Sequence, residues 1–318
     1  MTTAITKIAV LGATGQQGGA VAEALDKMGI SVVAITRNTA SSKAVALAAR
    51  PHTEVRKADL NDKESLVKVF QGCNGAFVIA NFWEGMNVEI EVEQYKNATD
   101  ALKEVGTMQH VVFSTLEETT ISPVTDDFKT LAECKHPAAR GAMKVQHYDG
   151  KARCEKLFDG LPTTFMVTSC YPENFCSFFS FTKGDDGSYL FTLPLSDVKI
   201  PWTILGDLGT LVACTLTKPE LIGQRIGQCS LLATGDDIAE IFSQVTGKKI
   251  KYNCVTWETF ASFGFPGADE LAQMFEFWVR TIEVYNKSRD LPTQTKIMDG
   301  VAFTDPIEYA KTLPLKFD

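Results

Sequence analysis

Short β-branched apolar runs alternate with amphipathic stretches over the first two-thirds of the chain, and this alternation predicts βαβ units building a parallel, doubly wound sheet. Six runs read as strands: Lys7–Leu11, Val32–Thr36, Thr53–Ala58, Ala76–Ala80, Val111–Ser114 and Thr164–Thr168. Between the first two, Val21, Leu25 and Met28 recur at helical spacing, and Gly29 follows as a left-handed C′ residue. Asp62 is placed to cap a further helix, and residues 87–104 and 142–159 read as two longer ones. After about residue 181 the alternation breaks into a hairpin signal, Lys183-Gly-Asp-Asp-Gly-Ser188, followed by aromatic and Pro-rich segments. The fold class expected is α/β: a Rossmann-type domain over 1–180 and a smaller C-terminal α+β domain for substrate or partner over 181–318, with the chain free to cross back between them. Leu271, Met274, Phe275 and Trp278 share one face of a helix near Asp269–Val279, a face expected in the core rather than in a substrate wall. The polar, irregular stretch Glu117–Arg140 is expected to be disordered or a mobile lid.

Composition adds exclusions to that pattern. A chain of 318 residues with 45% hydrophobic and 22% charged residues is an ordinary globular protein with room for a sizeable core. The net charge of −8, without a basic run, argues against direct nucleic-acid binding. No apolar stretch reaches membrane-spanning length, and the strand pattern from Lys7 leaves no room ahead of it for a signal peptide. The eight cysteines are scattered singly, with no Cys-x-x-Cys pair and no His spaced for zinc, so no metal site is expected. Free thiols in apolar stretches suit a reducing compartment, here the cytoplasm, with the nucleus also open to such a protein.

The chemistry begins at Gly12-Ala-Thr14-Gly15-Gln16-Gln17-Gly18, which directly follows the first strand and opens a helix. Gly12 allows a sharp turn, Gly15 a close backbone approach to a pyrophosphate, and Gly18 close helix–strand packing, while the helix N-terminus offers free N–H groups to the anion. An NAD-specific protein would carry Asp or Glu after the second strand to hold the ribose 2′-hydroxyl, and this chain has Thr36-Arg37. Arg37, with Lys43 close behind, instead suits a 2′-phosphate, so the expected cofactor is NADP(H); a solvated surface Arg is the alternative. Asp59 and Leu60, ending the third strand, are placed for the adenine, and Asn81, Phe82 and Trp83, ending the fourth, for the middle of the cofactor.

A short-chain dehydrogenase needs a Tyr four residues before a Lys on one helix face. In His147-Tyr148-Asp-Gly-Lys151 that position holds His147, and Tyr148 is one helical step out of register. Lys151 keeps the place of the group that bonds the nicotinamide ribose, and Ser114 keeps that of the orienting hydroxyl. His147 could act as acid or base near neutrality. His147, Lys151, Ser114 and Tyr148 are therefore candidates without an assigned catalytic role.

These motifs resemble the NmrA-like family, an atypical branch of the short-chain dehydrogenases. The likeness rests on Leu11-Gly-Ala-Thr-Gly-Gln-Gln-Gly-Gly19, Thr36-Arg-Asn38, Gly75-Ala-Phe-Val-Ile-Ala-Asn-Phe-Trp-Glu84, His147-Tyr-Asp-Gly-Lys151, Tyr171-Pro-Glu-Asn-Phe175 and Gly264-Phe-Pro-Gly-Ala268, and covers nearly the whole chain. The Asn-Phe-Trp-Glu and Gly-Phe-Pro-Gly stretches look most like animal members of the family, which act as redox sensors. The resemblance implies an NADP(H)-binding regulator without the catalytic Tyr, which answers to the NADPH level by changing conformation or oligomeric state, a homodimer included, and which signals to protein partners of a regulatory pathway. It also implies that Tyr171, Pro172 and Asn174 lie against the nicotinamide. An NADPH-dependent reductase of quinones, aldehydes or similar carbonyl compounds is the alternative function.

Overall fold

The computed structural model describes residues 5–119 and 145–317. Seven parallel strands form the central sheet: β1 (Lys7–Val10), β2 (Ser31–Thr36), β3 (Thr53–Lys57), β4 (Gly75–Val78), β5 (His110–Thr115), β6 (Thr163–Val167) and, from much later in the chain, β10 (Arg225–Gly227). Their order is β10-β6-β5-β4-β1-β2-β3. The inner strands β1, β4, β5 and β6 are runs buried on both faces, as a sheet covered by helices on both sides requires, while the edge strand β3 exposes Glu54 and Lys57. The chain leaves β1 toward β2 and β3, then returns to place β4 on the other side of β1. That reversal opens a crevice beyond the carboxyl ends of β1 and β4.

The helices that position the site are α1 (Gln16–Lys27), α2 (Ser42–Ala48), α3 (Lys63–Phe70), α4 (Phe82–Gly85), α5 (Val88–Val105) and α6 (Gln146–Cys154). Local chemistry sets most of their starts: Ser41, Asp62, Asn81 and Asn87 each accept a backbone N–H from the first turn they precede. The hairpin signal at residues 183–188 joins β7 (Thr182–Lys183) to β8 (Tyr189–Leu193) in antiparallel pairing. After β9 (Ile200–Trp202), helix α7 (Leu205–Leu216) lies on α1, where Gly209 faces the backbone of Ala20: a Cβ there would stand 2.7 Å from the Ala20 carbonyl carbon. The chain beyond residue 181 thus supplies both the edge strand of the main sheet and a helix that covers it. β11 (Leu231–Ala233), α8 (Gly235–Thr246), β12 (Ile250–Cys254), α9 (Trp257–Ala261), α10 (Ala268–Lys287), α11 (Leu291–Ile297) and α12 (Pro306–Ala310) follow.

Two apolar clusters fill the two faces of the main sheet, and a third, centred on Phe175, Phe191, Trp202 and Phe242, fills the C-terminal part. Leu271, Met274, Phe275 and Trp278 on α10 belong to that third cluster, as their spacing predicts, but Leu271, Met274 and Trp278 also face the crevice. Helix α10 is therefore core and wall at once.

Of the stretch expected to be irregular and polar, residues 120–140 lie outside the described residues, and its first residue corrects the expectation. Glu117 is buried, with Oε1 2.7 Å from Nη1 of the fully buried Arg289. Arg289 also donates to the Thr168 carbonyl at 2.8 Å and sits over the Tyr285 ring. Among the described cysteines, five are buried; burial pushes the thiol of Cys73 up to about 11 and those of Cys154, Cys170 and Cys229 up to about 12, which makes them inert hydrophobes. No group of His, Cys, Asp and Glu among the described residues could hold a metal ion, and no described helix is long and apolar enough to cross a membrane.

Candidate functional site

A cavity of about 680 Å³ occupies the crevice and runs from the glycine turn to the aromatic face of α10. Its floor is the β1–α1 turn. Gly12 has φ +62, a left-handed conformation that an L side chain rarely adopts. Gly18 lies so close to that turn that a Cβ would stand 2.6 Å from the Gly12 carbonyl carbon and 2.7 Å from the Leu11 oxygen. Gly15 is the N-cap of α1, extended, and no side chain caps the helix. The first-turn N–H groups of a twelve-residue helix are thus left to whatever enters the crevice. A turn with glycine at its left-handed and close-contact positions and an uncapped helix N-terminus together fit a pyrophosphate.

One flank is tied across the cradle by hydrogen bonds. Gln17 donates through Nε2 to the Tyr171 hydroxyl at 2.5 Å and accepts through Oε1 from the Ser114 hydroxyl at 2.7 Å, and Tyr171 donates to Thr168 at 3.2 Å. Ser114 is therefore engaged with the helix start, not poised beside a tyrosine. Burial pushes the Tyr171 phenol up to about 12.

At the other end, Arg37, Lys43, Asp59 and Leu60 line the cavity together with Asn38 and Ser41. Thr14 and Thr36 face each other at 3.4 Å. The Asp59 carboxylate accepts from the backbone and side chain of Asn61, both at 2.9 Å. Arg37 donates through Nη1 to Oε1 of Glu84 at 2.6 Å.

Beyond the cradle the wall becomes aromatic. Asn81 caps α4 by accepting the Trp83 N–H at 3.2 Å, and the Trp83 ring lies 4.9 Å from that of His147 and 6.2 Å from that of Phe178. Phe82 stands 5.8 Å from His147.

Here His147, Lys151 and Tyr148 line the same cavity as Ser114, but each takes its hydrogen-bond partner from outside this group. His147 is buried, and its Nδ1 lies 2.6 Å from Oε1 of Glu270, which also accepts the His147 backbone N–H at 3.0 Å. Burial lowers the imidazole's affinity for a second proton more than Glu270 restores it, so the ring is neutral. A neutral ring that donates Nδ1–H to the Glu270 carboxylate has no proton on Nε2 to give. The Nζ of Lys151 is paired with Oε1 of Glu91, itself 1% exposed. Burial raises the Glu91 carboxyl above its ordinary value, and the Lys151 ammonium offsets only part of that rise. Tyr148 turns toward α10: its hydroxyl lies 3.1 Å from that of Tyr285 and accepts the Trp278 indole N–H at 2.7 Å. Burial drives this phenol well above its ordinary pKa, away from any role as a proton carrier near neutrality.

Of the cofactor residues expected from the sequence, Gly12, Thr14, Gly15, Gln16, Gln17 and Gly18 line the cavity, as do Arg37, Lys43, Asp59, Leu60, Asn81, Phe82, Trp83, Lys151, Tyr171 and Asn174. Pro172 does not: it is buried at the start of the 3-10 turn Pro172–Cys176 and serves to aim its neighbours Tyr171 and Asn174. The carboxylates that pair with Arg37, Lys151 and His147, namely Glu84, Glu91 and Glu270, had no role assigned from the sequence, where Glu84 appeared only within a family motif.

Residues 5–288 match the NmrA-like family. The NmrA-like family domain-containing oxidoreductase FrzB of Cladobotryum sp is 32% identical, over 97% of this chain and 96% of its own length. The oxidoreductase notA of Aspergillus sp. (strain MF297-2), of the same family, is 31% identical over 85% and 82%. Among solved structures, NmrA, a negative transcriptional regulator in complex with NADP, superposes with a TM-score of 0.76 at 20% identity, covering 98% of this chain and 95% of that one. The Escherichia coli NADPH-dependent quinone oxidoreductase QOR2, complexed with NADPH, gives 0.69 at 24%, covering 96% and 98%. At such identities these likenesses speak for the shared fold.

Proposed function

This chain belongs to the NmrA-like family, and from that premise we propose that it is an NADP(H)-binding regulatory protein that reports the NADPH level rather than turning it over. The cradle of Gly12, Gly15 and Gly18 would hold the pyrophosphate at the N-terminus of α1, with Thr14, Gln16 and Gln17 beside it. Arg37 and Lys43 would take the 2′-phosphate, and Lys151, Tyr171 and Asn174 would border the nicotinamide. When bound, the cofactor supplies or accepts a hydride. What this chain adds at that end is shielding from water by Phe82, Trp83 and Phe178 and fixed hydrogen bonds, without a matched proton donor. The observation that carries the reading is the state of the three candidates: His147 with its Nδ1 engaged by Glu270, Lys151 paired with Glu91, and Tyr148 bonded into the C-terminal core. Signalling would then run through the contacts between the crevice and α10 to protein partners or to a second copy of the chain in the cytoplasm or nucleus.

One feature favours a second reading. The aromatic chamber of Trp83, Phe178, Phe179 and Trp278 beside the expected ring position suits a flat conjugated compound, which can accept a hydride without a protein acid, and the relatives carry oxidoreductase names. The deciding experiment follows NADPH absorbance with a panel of quinones and aldehydes, alongside NADPH affinity. Micromolar or tighter binding with no turnover supports the regulator; steady NADPH oxidation by the wild-type chain overturns it in favour of a reductase, one with His147 as its acid if turnover is lost in His147→Ala and one that needs no protein acid if turnover survives there.

A further inference from the structure

Arg37 directly follows β2 and Glu84 lies within α4, yet the guanidinium and carboxylate meet at 2.6 Å at the mouth of the adenine end, with side chains 59% and 52% exposed. Both line the cavity. Glu84 is not on a wandering loop. Its turn is capped by Asn81, ends at Met86 in the left-handed region (φ 45), and is pinned by Trp83, whose ring packs on His147 and lies 3.0 Å from where a Cβ at Gly267 would stand. The carboxylate is thus presented to Arg37 by a rigid element. Two cations, Arg37 and Lys43, and two anions, Glu84 and Asp59, border this end of the cavity, so its formal charge sums to zero. A phosphate entering here meets a guanidinium already holding an anion. It must displace that anion or share the donor fork with a like charge.

We propose that Glu84 is a specificity-determining residue: the resident counter-ion of Arg37, which competes with the cofactor's 2′-phosphate and sets how far the chain prefers NADP(H) to NAD(H). The proposal rests on the assignment of Arg37 to the 2′-phosphate. The competition weakens only phosphorylated ligands, because a 2′-hydroxyl makes no claim on the guanidinium strong enough to break the pair. It leaves the protein with moderate affinity, able to fill and empty as NADP(H) varies.

The test measures dissociation constants of the full chain for NADPH, NADP+, NADH and adenosine 2′,5′-bisphosphate at fixed ionic strength, in wild type, Glu84→Gln, Arg37→Ala and the double variant. Glu84→Gln is expected to tighten NADPH, NADP+ and the bisphosphate about three- to tenfold, the order for removing one exposed ion pair and one like-charge neighbour. NADH should be unchanged, and the gain should vanish when Arg37 is already Ala. An equal gain for NADH, or unchanged or weaker NADPH binding in Glu84→Gln while Arg37→Ala still loses NADPH selectively, overturns the role of Glu84. If Arg37→Ala weakens NADPH and NADH alike, the 2′-phosphate assignment itself fails and this proposal with it.

Discussion

Gly18→Ala tests the cradle most directly. The added methyl would stand 2.6 Å from the Gly12 carbonyl carbon and 2.7 Å from the Leu11 oxygen, against ordinary contacts of about 3.4 Å or more. Both obstacles are backbone, so no side chain can turn aside. Either α1 or the β1–α1 turn must shift by somewhat under about 1 Å. Overpacking of this kind costs about 1–3 kcal/mol, and with only backbone to yield we expect the upper figure. For a chain of 318 residues about 3 kcal/mol lowers Tm by ~5 °C. The same shift moves the uncapped N–H groups away from the phosphate position. Losing one hydrogen bond to a charged group, about 1.5–3 kcal/mol, weakens NADPH roughly ten- to a hundredfold. Gly227→Ala is the control, since its methyl would stand 2.7 Å from Cγ of Arg289 and 2.9 Å from the Ser288 carbonyl carbon, outside the residues that line the cavity. It should cost comparable stability and leave affinity unchanged. Titration calorimetry and thermal unfolding on both variants decide the matter: wild-type affinity in Gly18→Ala, or equal affinity losses in the two, refutes the cradle.

Lys151→Met leaves the buried Glu91 without its partner and should cost about 3–5 kcal/mol in chemical denaturation, most of it recovered in Lys151→Met/Glu91→Gln; no loss in the single variant would show that the pair is incidental. Asp149 gives a pH signature. Burial raises its carboxyl from 3.8 to about 6, against the hydrogen bonds that Thr119 donates to it. Between those values the native state holds the extra proton, so this contribution is fully present below pH 4 and is lost as pH rises through 6. Wild type should therefore lose about 2 kcal/mol relative to Asp149→Asn between pH 4 and pH 7, and parallel stability curves for the two proteins would contradict the assignment.

The inner strands were legible because buried parallel strands are apolar runs, and the cradle because only glycine fits a left-handed turn and a backbone contact. The carboxylates were not, because each acts across a long separation: Glu84 on Arg37, Glu91 on Lys151 and Glu270 on His147. One signal was present for Glu91. It shares the inner face of α5 with Tyr95, Ala98 and Leu102, and a carboxylate on an apolar stripe needs a buried cation. Glu270 lies next to the apolar stripe of α10 and carried the same hint. Glu84 had none, since an exposed acid in a short polar turn is ordinary. Register told correctly that Tyr148 stands apart from Lys151; that it joins Trp278 and Tyr285 depends on where α10 packs, which no local pattern encodes. Glu117 looked solvated for the same reason, its partner Arg289 being far along the chain.

The close seat of α7 on α1 through Gly209 has a consequence in time. The outer face of the helix that carries the phosphate-binding end is covered by Leu205, Leu208, Leu211 and Val212, and the sheet edge is closed by β10. At about 5–20 residues per second of synthesis, the ribosome makes Gly18 some ~10–40 s before it finishes α7. Throughout that interval Val21, Ala22 and Leu25 lack part of their cover, and a nascent chain has the glycines of the cradle without the helix that braces them. Cofactor can therefore stabilise this protein only once synthesis has passed α7, about two-thirds of the way along the chain, and a chain that stops short of Leu205 has the binding motif without the site.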